Sequence, residues 1–579
     1  MAILQPLVNI AEICARQRVK QVILSPGSRC AHLTLAFVRH PQITTRSISD
    51  ERSAAFIALG IAQKTGETTG LLCTSGTAVL NYAPAIAEAF FQQIPLLVFT
   101  ADRPAEWIAQ QDGQTIYQRD IYGKHVKCSY ELPVDYTHPD AVWHTERIIN
   151  EAINLSQTAP KGPVHVNVPI REPFYPNENE TLTFNHDVRL IERLSEERIL
   201  SKAQWTALMQ VWENSDKKLI VAGQYTYSAD LLNALKPLQE EGFIPMVGDL
   251  ISNIHPLADA LRHQDIFLSH NDNQVLSDLQ PDLLITFGQS VISKNLKLYL
   301  RKYRPNQHWH IQAAGPVADP FQTLTRIIPI EPLYFFRELF IHLALSHTLQ
   351  NQDTEYIELE SEYHRLWQQQ NQQAASFLSH FLKQQPFSDF SAVSYVLDAL
   401  PDNSLLHLAN SMTVRYANFM SLPPNKNIEV FANRGTSGID GSTSTAVGSA
   451  LTTDVPVVLI TGDVAFFYDR NALWHNHLPG NLRIILLNNH GGNIFRLLDG
   501  PSRQPELDEY FETKQPLTAK NTAADAGMDY LFCDNEKDLL TLLPDFFKLE
   551  GKSKLLEIKT DGKINAKVFS AYKANWQPQ

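Results

Sequence analysis

VPVVLITGDVAFFYDRNALWHNHLPGNLRIILLNN, residues 455–489, contains two apolar runs that each stop on polar residues. The first closes on Gly462 and Asp463, the second on Asn488 and Asn489. The stretch between them is long enough for a helix and its turns. Unbroken Val, Ile and Leu runs separated by helical stretches predict parallel strands covered on both faces; a sheet with one wet face would alternate apolar and polar residues. Parallel neighbours of this kind deliver Asp463 and Asn489, 26 positions apart (489 − 463), to the same edge of a sheet.

Outward from this segment the same pattern recurs along all 579 residues. Apolar runs fall at 21–25, 70–74, 95–100 and 164–168 in the first third, and at 218–223, 281–288 and 308–312 in the middle. The last third has them at 404–409, 428–433, 455–463, 483–489 and 554–559. The expected class is α/β, in three doubly wound parallel-sheet domains. Two polar stretches read as linkers: REPFYPNENETLTFNHD (171–187) and the Gln-rich helix and turn near 361–388, whose WQQQNQQAA (367–375) reads as a solvated helix face. They place the domains at 1–180, 190–350 and 360–579. No short internal repeat is visible.

Composition narrows the function. The 49 Lys and Arg against 62 Asp and Glu leave a net charge of −13. That balance disfavours bulk attraction to nucleic acid or an anionic membrane. Any site for an acidic substrate must then be built from local Arg and Lys. The five cysteines form no CxxC pair, so a reducing compartment is the simpler reading. No window approaches ~20 consecutive apolar residues, and no signal peptide is evident. The expectation is a cytoplasmic protein without membrane insertion. No GxSxG or HExxH motif points to a serine or zinc hydrolase.

Ligands of open α/β sheets bind at the carboxyl ends of the strands, and the polar segments gather there. They are SPGSR (25–29), TSGTA (74–78), TADRP (100–104), NSMTVR (410–415), NRGTSGIDG (433–441), GDVA (462–465) and NNHGGNIF (488–495). Asp463, Asn489 and the carbonyl of Gly491 would offer a hard, partial oxygen cage that suits Mg²⁺ once phosphate oxygens and water complete it. Gly462, Gly491 and Gly492 would let backbone N–H groups approach a phosphate. Either half alone reads equally as a turn after a strand; the pair, each half at a strand end, is far more specific.

With these motifs in view, and with ISDERSAAFIALGIA (48–62), the chain resembles the 2-succinyl-5-enolpyruvyl-6-hydroxy-3-cyclohexene-1-carboxylate synthase family of menaquinone biosynthesis. The resemblance spans all three blocks and is weakest in the second. It implies a pyrimidine-binding, a central and a diphosphate-binding domain, with thiamine diphosphate and Mg²⁺, or Mn²⁺ in its place, as cofactors. It implies a homodimer or homotetramer with active sites between chains. The implied reaction decarboxylates 2-oxoglutarate and adds the succinyl carbanion equivalent to isochorismate in a 1,4-addition. Cofactor contacts fall on Ser437, Ile439, Gly462, Asp463, Ala465 and Asn493. Glu51, which alone reads as an acid complementing a helix N-terminus, becomes the carboxylate on the pyrimidine ring. Ile439, otherwise an ordinary core residue, becomes the prop that bends the cofactor.

Both substrates are dicarboxylates. Arg29, Arg103, Lys294, Arg415 and Arg434 stand beside strand ends, and Arg can grip a carboxylate with two parallel hydrogen bonds. For any one of them a surface ion pair is the alternative, and Lys297 rivals Lys294. Ser28, Gln114 and Ser411 are the neutral donors of the pocket, with Arg29, Ser28 and Gln114 joining Glu51 at the chemistry. Ile494, Phe495 and Leu498 form an apolar wall. Two departures from the family pattern stand out. Gln111-Asp112-Gly113-Gln114 replaces Gly-Ala-Asn-Gln, and His490 replaces the third Asn of Asn-Asn-Asn-Gly-Gly. The competing readings are a thiamine enzyme for pyruvate-like substrates and a noncatalytic binding protein that kept the fold.

Overall fold

The computed structural model describes residues 4–172, 174–175, 181–269, 272–350 and 355–576. Three all-parallel sheets succeed one another. The first holds β1 (Gln21–Leu24), β2 (Thr44–Ser47), β3 (Thr69–Cys73), β4 (Leu96–Asp102), β5 (Ser129–Glu131) and β6 (Val164–Pro169). The second holds β7 (Lys218–Ala222), β8 (Met246–Gly248), β9 (Leu283–Phe287), β10 (Gln307–Ile311) and β11 (Arg326–Ile328). The third holds β12 (Ser404–Leu408), β13 (Ile428–Phe431), β14 (Val457–Gly462), β15 (Leu482–Asn488), β16 (Asp529–Cys533) and β17 (Lys554–Lys559). Strand orders are β2-β1-β3-β4-β6-β5, β11-β10-β9-β7-β8 and β13-β12-β14-β15-β17-β16. The first and third sheets therefore share one topology, a structural duplication that the sequence does not display.

The strands that sequence reading left out are β2, β5, β8, β11 and β16, and every one is an edge. An edge strand has one wet side, so its sequence lacks a continuous apolar run; TTRS in β2 is the plainest case. Central strands are buried end to end, as in β3, β4 and β15.

The first and third blocks are joined by two helices, Glu51–Thr65 and Ser442–Ala450. Their backbones nearly touch. A Cβ on Gly60 would lie 2.0 Å from the Thr445 carbonyl oxygen, and one on Gly448 would lie 2.1 Å from that of Ile57. Only glycine fits both positions. The helix Glu51–Thr65 is capped by Asp50, which accepts from the Ser53 N–H, and ends on left-handed Gly66. One continuous apolar core runs through Phe56, Ile57, Val447 and Leu459.

The described parts of both polar stretches pack against the blocks they join. The Gln-rich stretch is helical, as expected, within a 28-residue helix, Glu355–Leu382. Its Tyr363, Trp367, Ala374, Leu378 and Phe381, spaced by three, four or seven residues on one helix face, are buried in a core shared by the second and third blocks. The stretch 367–375 is likewise no uniformly solvated face, because Trp367 and Gln370 are buried. Of 171–187, residues 173 and 176–180 lie outside the described residues, as does 351–354 near the second expected boundary. Phe174 and Phe184 pack on the first core, and the Gln5 amide donates to the Thr183 carbonyl at 3.0 Å, so these parts cling to the first block. Among the described residues no helix is long and apolar enough to cross a membrane.

Candidate active site

In the third sheet β14 and β15 pair with Gly462 opposite Leu487, so Asp463 and Asn489 emerge side by side. Asp463 opens the short helix Asp463–Tyr468 and is 2% exposed. Its carboxylate accepts from the Val464 N–H at 2.8 Å, from the Gln515 amide at 2.8 Å and from the Gly491 N–H. Burial lifts its pKa to about 7, and these donors oppose the shift. The Asn489 amide NH₂ donates to Asp389 at 2.8 Å, which leaves its Oδ1, buried and without a partner, for another ligand. The Gly491 carbonyl accepts from the Asn493 N–H at 2.9 Å and keeps one lone pair. An orphaned amide oxygen, a buried carboxylate and a carbonyl fit a hard divalent cation. Both polar atoms of Asn493 are also buried without partners. A Cβ at Gly491 would lie 2.8 Å from the Glu512 carbonyl oxygen, so the turn admits no side chain there.

Around this tip stand the cations of the third block. Arg434 donates to Asn410 Oδ1 at 2.9 Å, and its Nε is buried without a partner. Arg415 donates to the Ser411 carbonyl at 2.5 Å. Burial lowers the pKa of both guanidiniums, and the charge of Arg415 lowers that of Arg434 further, so the two are neighbours. Lys294 is exposed at the start of the helix Lys294–Lys302. Lys297 is the one turned inward: it donates to the Val291 carbonyl at 3.0 Å and feels the charge of Arg434. Ile439 is an apolar side chain left 39% exposed. Ala465 is buried, Leu498 is exposed, Phe495 stacks near Phe511 at 5.9 Å, and Ile494 packs partly into the core.

The first block contributes a second set. Glu51 is half-buried at the head of its helix and accepts from the Asn81 amide at 3.3 Å. Arg29 is buried, donates to the Ile170 carbonyl at 3.0 Å, lies over the Phe174 ring and feels the charge of Arg103. Arg103 pairs with Asp112 at 2.7 Å and donates to the Gly113 carbonyl at 3.1 Å. The departure at Asp112 is thus the counter-ion of a candidate substrate arginine. Ser28 is exposed beside Arg29. Gln114 sits against Gly76 of the TSGTA loop, where a Cβ would lie 3.3 Å from its Cα.

Backbone strain marks the same places. Gln114 (φ 55°), Ser411 (φ 71°), Ser437 (φ 62°) and His490 (φ 64°) are non-glycine residues with positive φ. Such conformations cost on the order of 1–3 kcal/mol each and gather at functional sites.

Residues 9–121 match the family model described as the thiamine pyrophosphate enzyme N-terminal TPP binding domain, and residues 185–408 match the middle domain of thiamine pyrophosphate enzymes. The 2-succinyl-5-enolpyruvyl-6-hydroxy-3-cyclohexene-1-carboxylate synthase of Cytophaga hutchinsonii is 44% identical over 99% of both chains. Those of Flavobacterium psychrophilum and Christiangramia forsetii are 38% and 37% identical, over 98% and 97% of both chains. The chain belongs to the 2-succinyl-5-enolpyruvyl-6-hydroxy-3-cyclohexene-1-carboxylate synthase family. Membership makes it a thiamine-diphosphate enzyme, and the residues at its strand tips are to be read as parts of a synthase.

Three supports of the synthase site escape sequence reading. Asp389 orients the Asn489 amide and also accepts from Thr560 at 2.6 Å. Gln515 holds the Asp463 carboxylate. Glu88, from the first block, accepts from the N–H groups of Gly435 and Thr436, both at 2.7 Å, and so clamps the loop that carries Arg434, Ser437 and Ile439. Each lies far along the chain from what it supports and carries no motif of its own.

Proposed function

We propose that the chain carries out its family's reaction through the residues above: decarboxylation of 2-oxoglutarate and 1,4-addition of the succinyl unit to isochorismate, in menaquinone biosynthesis. The observation that carries the assignment of roles is the meeting of buried Asp463 with the unpartnered Oδ1 of Asn489 at neighbouring strand tips. Thiamine diphosphate, when bound, supplies the electron sink for the carbanion left by loss of carbon dioxide. Asp463, Asn489 and the Gly491 carbonyl hold Mg²⁺, or Mn²⁺, against the diphosphate. Gly462, Ala465 and Asn493 line its seat, while Ser437 and Ile439 support the rings. Glu51 would hold a proton at a pyrimidine ring nitrogen of the bound cofactor. Arg415, Arg434 and Ser411 hold the carboxylate of the 2-oxo acid, because Arg434 shares its loop with Ile439 and so stands where the first substrate reacts. Arg29, Arg103, Ser28 and Gln114 hold isochorismate, with the inward-turned Lys297 in the place expected of the exposed Lys294. Ile494, Phe495 and Leu498 wall the pocket from water, which keeps the fixed charges strong.

Residues 1–180 form the pyrimidine-binding domain, 190–350 the central domain and 360–579 the diphosphate-binding domain. A homodimer or homotetramer places the first-block set of one chain against the third-block set of another. What supports this is that Glu51 and the metal tip belong to separate sheets, and that Ile439, an apolar side chain at the site, is 39% exposed. The protein acts in the cytoplasm.

Glu51→Gln is expected to leave folding intact and to cut single-turnover product formation by about 10²–10⁴-fold, the range for a lost proton-transfer group. Near-normal turnover would remove Glu51 from the chemistry. A preference for pyruvate over 2-oxoglutarate would remove the dicarboxylate assignment.

A further inference from the structure

Two carboxylates of the second block are buried behind the third-block cations. Asp249, just after β8, is 2% exposed, and Asp265, in the short helix Gln264–Phe267, is 8% exposed. Neither spends its charge on a close cation: among the described residues, no ion pair joins them to Arg415, Arg434 or Lys297. Asp249 accepts from the N–H groups of Ile292 and of Ser293, the latter at 3.1 Å, and from the Asn418 amide at 3.0 Å. Asp265 accepts from the Ser293 hydroxyl at 2.6 Å and from the Asn418 amide at 3.4 Å.

The two groups they share are telling. Asn418 lies one turn beyond Arg415 on the helix Met412–Met420, and Ser293 caps the helix that begins at Lys294. The carboxylates thus bolt together the two elements that present the substrate cations. Their charge reaches those cations as well. Asp265 supports the charge of Arg415, Asp249 that of Arg434, and both that of Lys297. Arg415 and Arg434, meanwhile, repel each other in a desolvated setting. Among the described residues, Arg415 has only the Ser411 carbonyl as a hydrogen-bond partner. Burying two carboxylates without partners in contact is costly, and an amide of the same shape would pack as well. A fold retains such charges where function needs them.

We propose that Asp265, with Asp249, is a positioning residue of the synthase: through Asn418 and Ser293 and through its field, it keeps Arg415 beside Arg434, aimed at the carboxylate of the 2-oxo acid. This rests on the reading of Arg415 as a substrate contact. It gives the second block a part in substrate binding beyond scaffolding.

Asp265→Asn keeps the shape: the Ser293 hydroxyl can still donate to the amide oxygen, and only the long 3.4 Å contact from the Asn418 amide loses its acceptor. In the full-length holoenzyme the KM for 2-oxoglutarate is expected to rise about tenfold, the weight of one charge-assisted contact. The turnover number stays near that of the unaltered chain, and the thermal midpoint does not fall. Arg415→Gln alone raises the same KM, and Asp265→Asn adds nothing further in that background. If Arg415→Gln leaves KM unchanged, the substrate reading of Arg415 fails, and the inference with it. If Arg415→Gln raises KM but Asp265→Asn does not, only the role of Asp265 fails. Independent, multiplying effects in the double variant would make Asp265 merely structural and overturn the proposal. So would loss of folding in Asp265→Asn, since the proposal holds that its charge burdens the fold.

Discussion

The two terminal sheets share one strand order, so each functional tip in one has a counterpart in the other. Each carries a pair of neighbouring arginines, Arg29 with Arg103 and Arg415 with Arg434. The pairs are kept in opposite ways. In the first block the counter-charges come to the surface and touch: Asp112 meets Arg103 at 2.7 Å and Glu172 stands 3.9 Å from Arg29. Around the third-block pair the carboxylates, Asp249 of the second block and Glu88 of the first, stay buried, bound to main-chain and amide N–H groups, and act from a distance. The first pair is covered by groups that a substrate carboxylate must displace. The second is desolvated and assembled in advance, at a cost to the fold, with its charge left for the substrate.

The sharpest way to break this contrast is to remove one arginine from each pair. Arg434→Ala is expected to lower kcat/KM for 2-oxoglutarate by about 100-fold, near the upper end for a desolvated charge-assisted contact. Arg103→Ala, whose cation already has a partner, should cost kcat/KM for isochorismate only about tenfold. Steady-state kinetics with the other substrate saturating decides it. Equal losses would mean that the two pairs are prepared alike.

How much of this the residues disclose depends on where a feature sits in the sheet. Asp463 and Asn489 are legible because both end fully buried strands, and burial on two faces writes itself as an apolar run. Five of the six edge strands are silent for the converse reason, β13 being the exception. The helix Glu355–Leu382 is legible as a helix, but its average polarity reads as a linker and hides the buried face of Tyr363, Trp367, Ala374, Leu378 and Phe381. The choice between Lys294 and Lys297 needs the direction of a side chain, which spacing alone does not give. Asp389, 100 positions from Asn489, and Gln515, 52 from Asp463, become partners only through the fold. The positive φ of Ser411 leaves no mark at all, since serine is not the residue that such a backbone selects.

A smaller effect probes the covered pair from its other side. Asp112→Ala removes the carboxylate from Arg103, which keeps its bond to the Gly113 carbonyl. The KM for isochorismate should fall by about two- to fivefold, the worth of a partly exposed ion pair. The gain should shrink as salt is raised toward about 1 M, where screening extends over only about 3 Å. A rise in KM would show that Asp112 positions Arg103 instead of competing for it.

The smallest effect belongs to the buried side of the contrast, and its signature is pH. Burial, aided by the charge of Asp249, raises the Asp265 pKa from 3.8 to about 6. Asp249, Arg415, Lys297 and Tyr572 are the ionisable groups whose charges couple to it. With the folded value above the unfolded one, the folded chain binds more protons between these limits. Stability from this group is therefore lost as pH rises from about 4 through about 6, and the loss is complete above that. A shift of about two units corresponds to at most about 3 kcal/mol, or a few degrees in a chain of this size. Asp265→Asn lacks the penalty, so its advantage in thermal midpoint should be greatest near pH 8, narrow through pH 6 and close by about pH 4. Melting curves across that range test it. An advantage that did not change with pH would mean that the carboxylate is matched by a partner in the fold, and the third-block arginines would then be covered in the same manner as those of the first.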